Sequence, residues 1–516
     1  MTARWLVSLS ILLLCAGNSV ADDRLRATIE AGDTARLVSL IESGTDINEP
    51  DVDGATALHW AVYADQLEAT RILLAAGANP RLESRYGVMP LYLAAVSGNA
   101  PLIESLLDAG ADASAFGPNG ETMLMTAART GVPEAMSALL DAGAAIDVRD
   151  TNYGQTALML AVRERNRAAV ELLLSQGADV NARTLAGPPP DFTLPCKGTG
   201  CGSEGVGINR GGLPDRGRRD PAQGGMTPLL YAARDGSTDI AELLIAAGAD
   251  LELAEANEIR PLLMSLVNGN VEVARLLIDA GAELNADDYY GRTPLFAAVD
   301  YRNLDMNNRD QDDPQTNGVD RAPFFELIQY LLERGAAVDA QTREVPPSRR
   351  WLYSLNDVSW VDFTGQTPFL RAALSGDTSI MRLLVEHGAD PTLPTYAGTT
   401  PLMAAAGVNW VVAQTYTESA EASLEAVKLS LELGNDVNAV NSMGLSALLG
   451  AVNRGSNDII RYLAESGADL HVVDVEGRSA IRWAQGVFLA AVGAEIKPET
   501  IALLEALMAA EANTDE

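Results

Sequence analysis

The sequence predicts an all-α repeat solenoid of about twelve helix-turn-helix units, on three observations. Glycines recur with a fixed period, one short sequence grammar recurs with them, and the first and last units depart from it as terminal caps do. Gly54, Gly87, Gly120 and Gly154 stand 33, 33 and 34 residues apart, and Gly225, Glu258 and Gly291 continue at steps of 33. Gly365 and Gly398 are 33 apart, with Gly444 following at 46 and Gly477 at 33. The gaps from 154 to 225 and from 291 to 365 span 71 and 74 residues, each one period plus an insertion.

Within a unit, each element follows from local chemistry. The segments GATALHWAVYADQLEATRILLAAGANP, GQTALMLAVRERNRAAVELLLSQGADVNA, GMTPLLYAARDGSTDIAELLIAAGADLEL and GQTPFLRAALSGDTSIMRLLVEHGADPTL superpose without gaps. The Thr after Gly-x is placed as a helix N-cap, with Pro or Ala at the first helical position. Leu and Ala then recur at three- and four-residue spacing, giving a short helix with one apolar side. A turn with Gly, Asn or Asp leads to a second helix such as the one holding Glu171 to Leu174, which ends at Gly177 as a left-handed cap. A tail like Ala-Asp-Val-Asn runs extended to the next glycine.

This grammar closely resembles the ankyrin repeat, from about Asp22 to the end apart from insertions. The resemblance implies antiparallel helix pairs with β-hairpin fingers, stacked into a curved solenoid whose concave face commonly binds proteins. The first unit, Asp22–Asp53, lacks the threonine motif, and the last, Gly477–Glu516, ends in a long, partly acidic helix. The TALHWA stretch at Thr56–Ala61 and Tyr86-Gly87-Val88 also resemble exported bacterial ankyrin-repeat proteins. The expected organisation is a signal peptide at 1–21, repeats one to five at 22–185, and an insertion at 186–224. Repeats six to the start of eight follow at 225–301, repeat eight with two insertions at 302–364, and repeats nine to twelve with a C-terminal cap at 365–516.

Bulk composition narrows the partner. With 37 Lys+Arg against 70 Asp+Glu, the formal charge is −33, which repels phosphate backbones and anionic lipid. Nucleic acid and membrane surfaces are therefore poor partners; a basic partner and plain solubility both remain open readings. The N-terminus MTARWLVSLSILLLCAGNSVADD places Arg4 before an apolar run, Trp5 to Ala16, too short to span a bilayer, then Ser19-Val20-Ala21. That reads as a secretory signal with cleavage after Ala21, and so as a periplasmic or secreted protein without membrane insertion. Cys15 invites a lipoprotein reading, but Leu14 stands where that processing wants a small side chain. Cys196 and Cys201, five apart in an exported chain, read as one small disulfide. A zinc site needs about four ligands, and His59, His387 and His471 are far from the pair in sequence. No metal or cofactor is expected.

The insertions carry the individuality. The first, about Leu185–Gly224, is Gly/Pro-rich and locally basic through Lys197, Arg210, Arg216, Arg218 and Arg219; it reads either as a tolerated loop or as an electrostatic contact arm. A second, about Asn303–Arg321, is polar and acidic and reads as surface loop, lacking the bidentate Glu of a calcium loop. The third, about Thr342–Phe363, concentrates Trp351, Tyr353, Trp360 and Phe363 beside Arg349 and Arg350; it reads equally as a binding hot spot or as a small core. An extra stretch near Trp410–Ala422 reads as a lengthened turn or helix.

Chemistry is otherwise missing: no HExxH, Walker loop, GxSxG elbow or CxxC occurs. Gly200 to Gly205 matches GxGxxG only by letter, with neither strand nor helix beside it. His59 occupies the histidine place of the ankyrin motif, where the resemblance implies a helix–loop hydrogen bond. The leading expectation is a non-enzymatic, monomeric protein–protein interaction scaffold. Its partner-binding candidates at outward positions are Tyr63, Tyr86, Tyr153, Arg163, Arg234, Tyr289, Tyr290, Tyr301 and Tyr396, with Trp351, Tyr353, Trp360 and Phe363 of the third insertion. Finger tyrosines also read as packing between neighbouring turns. The alternative is a ligand-binding or enzymatic protein using the insertions as a lid over the groove.

Overall fold

The computed structural model describes residues 22–187, 224–303, 321–343, 364–408, 419–487 and 495–514. These form twenty-four helices, two to a repeat, with no named strand among the described residues. The chain divides into two compact units, Met1–Leu185 with Glu242–Ala249, and Ala186–Ala241 with Asp250–Glu516. The fold is the all-α repeat solenoid that the period announced. Cys196, Cys201, Trp351, Tyr353, Trp360 and Phe363 lie outside the described residues.

Helix starts are set by the threonine. Thr156, Thr227, Thr293 and Thr367 accept the amide hydrogen three residues on, at 3.4, 3.2, 3.3 and 3.1 Å, satisfying an otherwise orphaned donor. The first helix ends in a left-handed turn, with Gly98 at φ 69° and Gly131 at φ 74°. Asp65 and Arg165 adopt the same conformation at the equivalent positions, φ 56° and 58°, without glycine's freedom. Glu258, which stands in the series of finger glycines, likewise takes φ 65°.

Each unit is built in two layers. In the first, helices Ala57–Tyr63, Pro90–Ser97, Met123–Thr130 and Ala157–Arg163 stack in order, and their partners Leu67–Ala75, Ala100–Asp108, Pro133–Asp141 and Arg167–Ser175 stack behind them. In the second, Pro261–Val267, Pro294–Arg302, Pro368–Leu374, Pro401–Ala406 and Ala447–Arg454 form the corresponding row. The core is aliphatic and small: Leu106, Leu139 and Leu173 are fully buried at one position of successive second helices.

The fingers differ from the expected β-hairpins. They are turns closed by two backbone bonds, such as Asp51 N to Ala55 O at 2.8 Å and Gly54 N to Asp51 O at 2.9 Å, and three isolated antiparallel bridges occur among the described residues. The reason is local: a carboxylate takes amide hydrogens that a strand ladder would use. Asp51 Oδ1 accepts from the Asp53 and Ala55 amides at 2.9 Å each, and Asp288 and Asp474 repeat the arrangement. Single bonds join neighbouring fingers, Arg85 N to Asp53 O at 2.7 Å and Thr151 N to Gly120 O at 3.2 Å. The tails are clamped by side chains. Asn48 donates to Gly77 O (3.3 Å) and accepts from Asn79 N (2.8 Å); Asn438 does the same with Gly467 and Asp469.

Insertions leave and re-enter between paired residues. Ala186 bridges Gly224, Gly365 N donates to Thr342 O at 2.7 Å, and Arg321 Nη2 donates to Asn303 Oδ1 at 3.0 Å. That last pair belongs to a buried ionic knot. Asp377, 1% exposed at its side chain, pairs with Arg302 at 2.9 Å and Arg321 at 2.8 Å, and Arg371 pairs with Asp300 at 2.6 Å. Arg302 also donates to the Arg321 carbonyl and Arg371 to the Asn303 carbonyl. The two ends of the second insertion are thus locked at the turn between the helices.

Candidate protein-binding surface

His59 sits beneath the surface and fixes two of its parts. Its Nδ1 accepts the Thr56 amide hydrogen at 3.0 Å and its Nε2 donates to Val88 O at 3.0 Å, joining the start of helix Ala57–Tyr63 to the next finger. Burial pushes its pKa below the ordinary 6.5, so the neutral ring is the folded form. The folded state then binds fewer protons than the unfolded one between those two values. Stability is whole above pH 6.5 and falls as pH drops through that window. Urea midpoints at neutral and mildly acidic pH should therefore separate more for the native chain than for His59→Gln; equal separations would refute the role.

Three rows of side chains repeat along the first unit. At the ends of the first helices stand Tyr63, Val96, Arg129 and Arg163, 33, 33 and 34 residues apart. At the finger tips stand Asp53, Tyr86, Asn119 and Tyr153, with exposed Val52 beside Asp53, and just before the fingers Phe116 and Arg149. Tyr63, Tyr86 and Tyr153 are 57%, 55% and 68% exposed, far above what a packed ring shows. Arg163 is exposed, with one guanidinium nitrogen on Gln155 Oε1 at 3.1 Å. Arg129 bridges Glu121 at 2.5 Å and Glu164 at 3.1 Å, and the Glu121 bond holds its guanidinium above its ordinary range.

In the second unit the equivalent helix-end positions are mostly closed. Val267 and Leu374 are buried, and so is Arg371 one turn before Leu374. Arg234 is exposed but pairs with Asp235 at 2.7 Å and lies 4.9 Å from the Tyr231 ring. Tyr396 is exposed at a finger tip. Tyr289 and Tyr290 are half-buried and meet edge to face at 5.2 Å, with Arg292 over Tyr290 at 5.3 Å. Tyr301, expected to face outward, instead stacks on Phe324 at 4.9 Å and covers Gly269, where a Cβ would meet the ring at 2.2 Å. The missing side chain of Gly269 leaves the Tyr301 ring a bed beside Phe324, whereas Tyr396, whose ring lies against Gly365, stays exposed.

Sequence reasoning missed Val52, Val96, Phe116, Arg129 and Arg149. The signal was available for four of them: Val96 and Arg129 stand one period from residues already singled out, and Phe116 and Arg149 one place before a finger. Among the described residues, no group of three His, Cys, Asp or Glu is placed to hold a metal, and no helix is long and apolar enough to cross a membrane.

Comparison with known proteins gives one consistent result. Family models described as ankyrin repeats match residues 25–117, 112–184 and 229–308 (three copies) and 364–393 (a single repeat). Over 79 residues the chain is 33% identical to Notch-regulated ankyrin repeat-containing protein A of Danio rerio, covering 14% of this chain and 70% of that protein. It is 36% identical over 148 residues to a protein named L-asparaginase from Dirofilaria immitis, covering 29% of this chain and 25% of the relative. Ankyrin repeat domain-containing protein 40 of Homo sapiens is 35% identical over 74 residues, 14% of this chain and 20% of that one. The chain thus spans a quarter or less of those last two relatives. Among solved structures, the ankyrin repeat domain of human ASB11 matches with TM-score 0.39 and 22% identity, over 50% of this chain and 98% of that one. Proteins of this kind generally mediate protein–protein interaction and are typically non-enzymatic scaffolds, although some relatives carry enzyme names.

Proposed function

Because the chain belongs to the ankyrin repeat family, we propose that it is an exported, monomeric scaffold that binds another protein through the fingers and first-helix ends of its first unit. One observation carries the reading. Of the eight large apolar side chains exposed among the described residues of the first unit up to Leu185, Val52, Tyr86, Phe116, Tyr153 and Leu185 lie on fingers or the residues running into them, and Tyr63 and Val96 lie at first-helix ends. Exposed apolar side chains scattered singly carry no meaning; a set gathered on the fingers and first-helix ends of one unit does. Tyr, with its apolar ring and polar tip, is favoured at the centres of interfaces. Export rests on the apolar run Trp5 to Ala16 and the Ser19-Val20-Ala21 site, and it is checked by fractionating cells and culture medium.

The test immobilises the full chain, captures its native partner, and compares it with a Tyr63→Ala, Tyr86→Ala, Tyr153→Ala triple variant. Retention should fall by about tenfold or more, as loss of interface anchors does, while the thermal melt stays in place because the three rings are exposed. Undiminished capture by a folded triple variant would refute the surface.

A further inference from the structure

We propose that the first two repeats, residues 22–80, are an acid-sensitive switch: protonation of His59 opens them as a unit and takes Tyr63 out of the binding row. This rests on the binding reading above and adds the regulation of that surface.

The hydrogen bonds of His59 admit only the neutral ring. Nδ1 accepts the Thr56 amide hydrogen at 3.0 Å, with Thr56 Oγ1 also at 3.0 Å, so the ring's one proton is on Nε2, which donates to Val88 O. A second proton would sit on Nδ1 and point at the Thr56 N–H, stranding the amide that starts helix Ala57–Tyr63. The residue is 3% exposed, so an imidazolium reaches water only if the chain around it opens. Its own finger brings Asp51 and Asp53. Asp51 favours the charged ring but already takes two finger amides and the Trp60 indole N–H at 3.1 Å. Helix Asp22–Glu30 brings Arg24, Arg26 and Glu30, with Arg26 at 3.7 Å over the Trp60 ring, and helix Leu67–Ala75 brings Glu68 and Arg71; all five are exposed. Helix Pro90–Ser97 brings half-buried Tyr92, and the next finger turns the Leu82 and Val88 carbonyls to the ring, with Glu83 and Arg85 exposed beside them. Burial outweighs Asp51 and the carbonyls and keeps the ring uncharged.

The same repeat carries a second, independent weakness. Thr70 stands where Ile103, Met136 and Val170 stand in the next three repeats; it is fully buried, and its hydroxyl has no hydrogen-bond partner among the described residues. A hydroxyl withdrawn from water without a partner opposes folding at that place. Helices Asp22–Glu30 and Thr34–Glu42 pack on Ala57–Tyr63 and Leu67–Ala75, so the first repeat loses its support when the second opens. His59 is the only histidine in residues 22–185, which contain no cysteine, so repeats three to five hold no side chain whose ordinary titration falls between pH 5 and 8. The opening therefore stops short of them. Its effect on the surface is direct: Tyr63 ends helix Ala57–Tyr63, and the finger of Tyr86 is tied to the first finger by Arg85 N on Asp53 O at 2.7 Å. Tyr153 stays in place, and the row loses one anchor while a second loosens.

The experiment is hydrogen exchange of the full chain at pH 7.5 and pH 5.5, corrected for the intrinsic pH dependence of amide exchange. One proton taken up on opening, by a released ring at its ordinary 6.5, raises the opening constant by up to about tenfold across that interval. Helices Ala57–Tyr63 and Leu67–Ala75 should show the rise, and helices Met123–Thr130 and Ala157–Arg163 should not. His59→Gln should flatten the pH dependence. Thr70→Val, which removes the orphan hydroxyl and leaves the ring, should slow opening at both pH values and preserve their ratio. A ratio near one in the first two helices of the native chain, or the same rise in all four, overturns the switch. Capture of the native partner should also fall from pH 7.5 to pH 5.5, and fall less for Thr70→Val. Equal capture at both pH values despite the opening overturns the regulation and leaves the binding surface standing. If instead the tyrosine triple variant captures undiminished while the acid opening is intact, the binding reading falls and the opening loses its role.

Discussion

Asp377→Ala should destabilise the second unit by about 3–5 kcal/mol, the usual result of stranding buried charge. The carboxylate is 1% exposed and pairs with Arg302 and Arg321, so removing it leaves two guanidinium groups facing each other out of water. Burial by itself would raise the Asp377 pKa, but Arg302, Ser379 and Arg321 outweigh it and hold the carboxyl below its ordinary 3.8. A depressed folded-state value means the contribution is present above 3.8 and is lost as pH falls through the folded value. Urea unfolding at neutral pH should show the full difference between native chain and variant, and strong acid should narrow it. Adding Arg302→Met and Arg321→Met should recover much of the loss, because an apolar replacement of the whole knot removes the stranded charges. If Asp377→Ala alone melts like the native chain, the knot contributes nothing.

Trp483→Ala should cost about 3–5 kcal/mol, confined to the last repeats. Its ring is 1% exposed, and its indole N–H donates to Asp474 Oδ2 at 2.9 Å, the same oxygen that takes Arg478 Nε at 2.6 Å. Truncation removes the largest fully buried side chain and one partner of a buried carboxylate together. Hydrogen exchange should then accelerate in helices Asn457–Glu465 and Pro498–Thr514 while helix Met123–Thr130 keeps its protection, since repeats contact only their neighbours. Uniform acceleration along the chain would contradict that local accounting. Trp483→Phe, which keeps volume but not the donor, should lose less.

Trp60 and Asp51 show why such contacts were hard to read beforehand. They are nine residues apart, as Trp483 and Asp474 are, and the turn brings each carboxylate to the indole N–H. Helix starts were legible because a threonine cap acts on an amide three residues away, and the glycine period was legible because a left-handed turn tolerates few alternatives. Even Glu258, out of character for that series, was located by the period and adopts the positive φ the series requires. The ionic knot was not legible, since Arg302 and Asp377 are 75 residues apart and separated by two insertions. For the surface, sequence pointed to tyrosines by type and approximate position. It separated Tyr63 and Tyr153 from Tyr301 poorly, because burial of Tyr301 depends on Phe324 across an insertion and on Gly269 in the preceding repeat.

The paired residues at the insertion ends make chain length a free variable at three points of the array. The residues flanking each insertion are fastened to one another, as at Ala186 with Gly224 or Thr342 with Gly365, so the distance an inserted loop must close is already set. Doubling such a loop costs only about 0.6 kcal/mol of closure entropy. These junctions are therefore natural sockets for grafting foreign sequence, where an epitope, tag or small domain can be carried without renegotiating the repeats on either side.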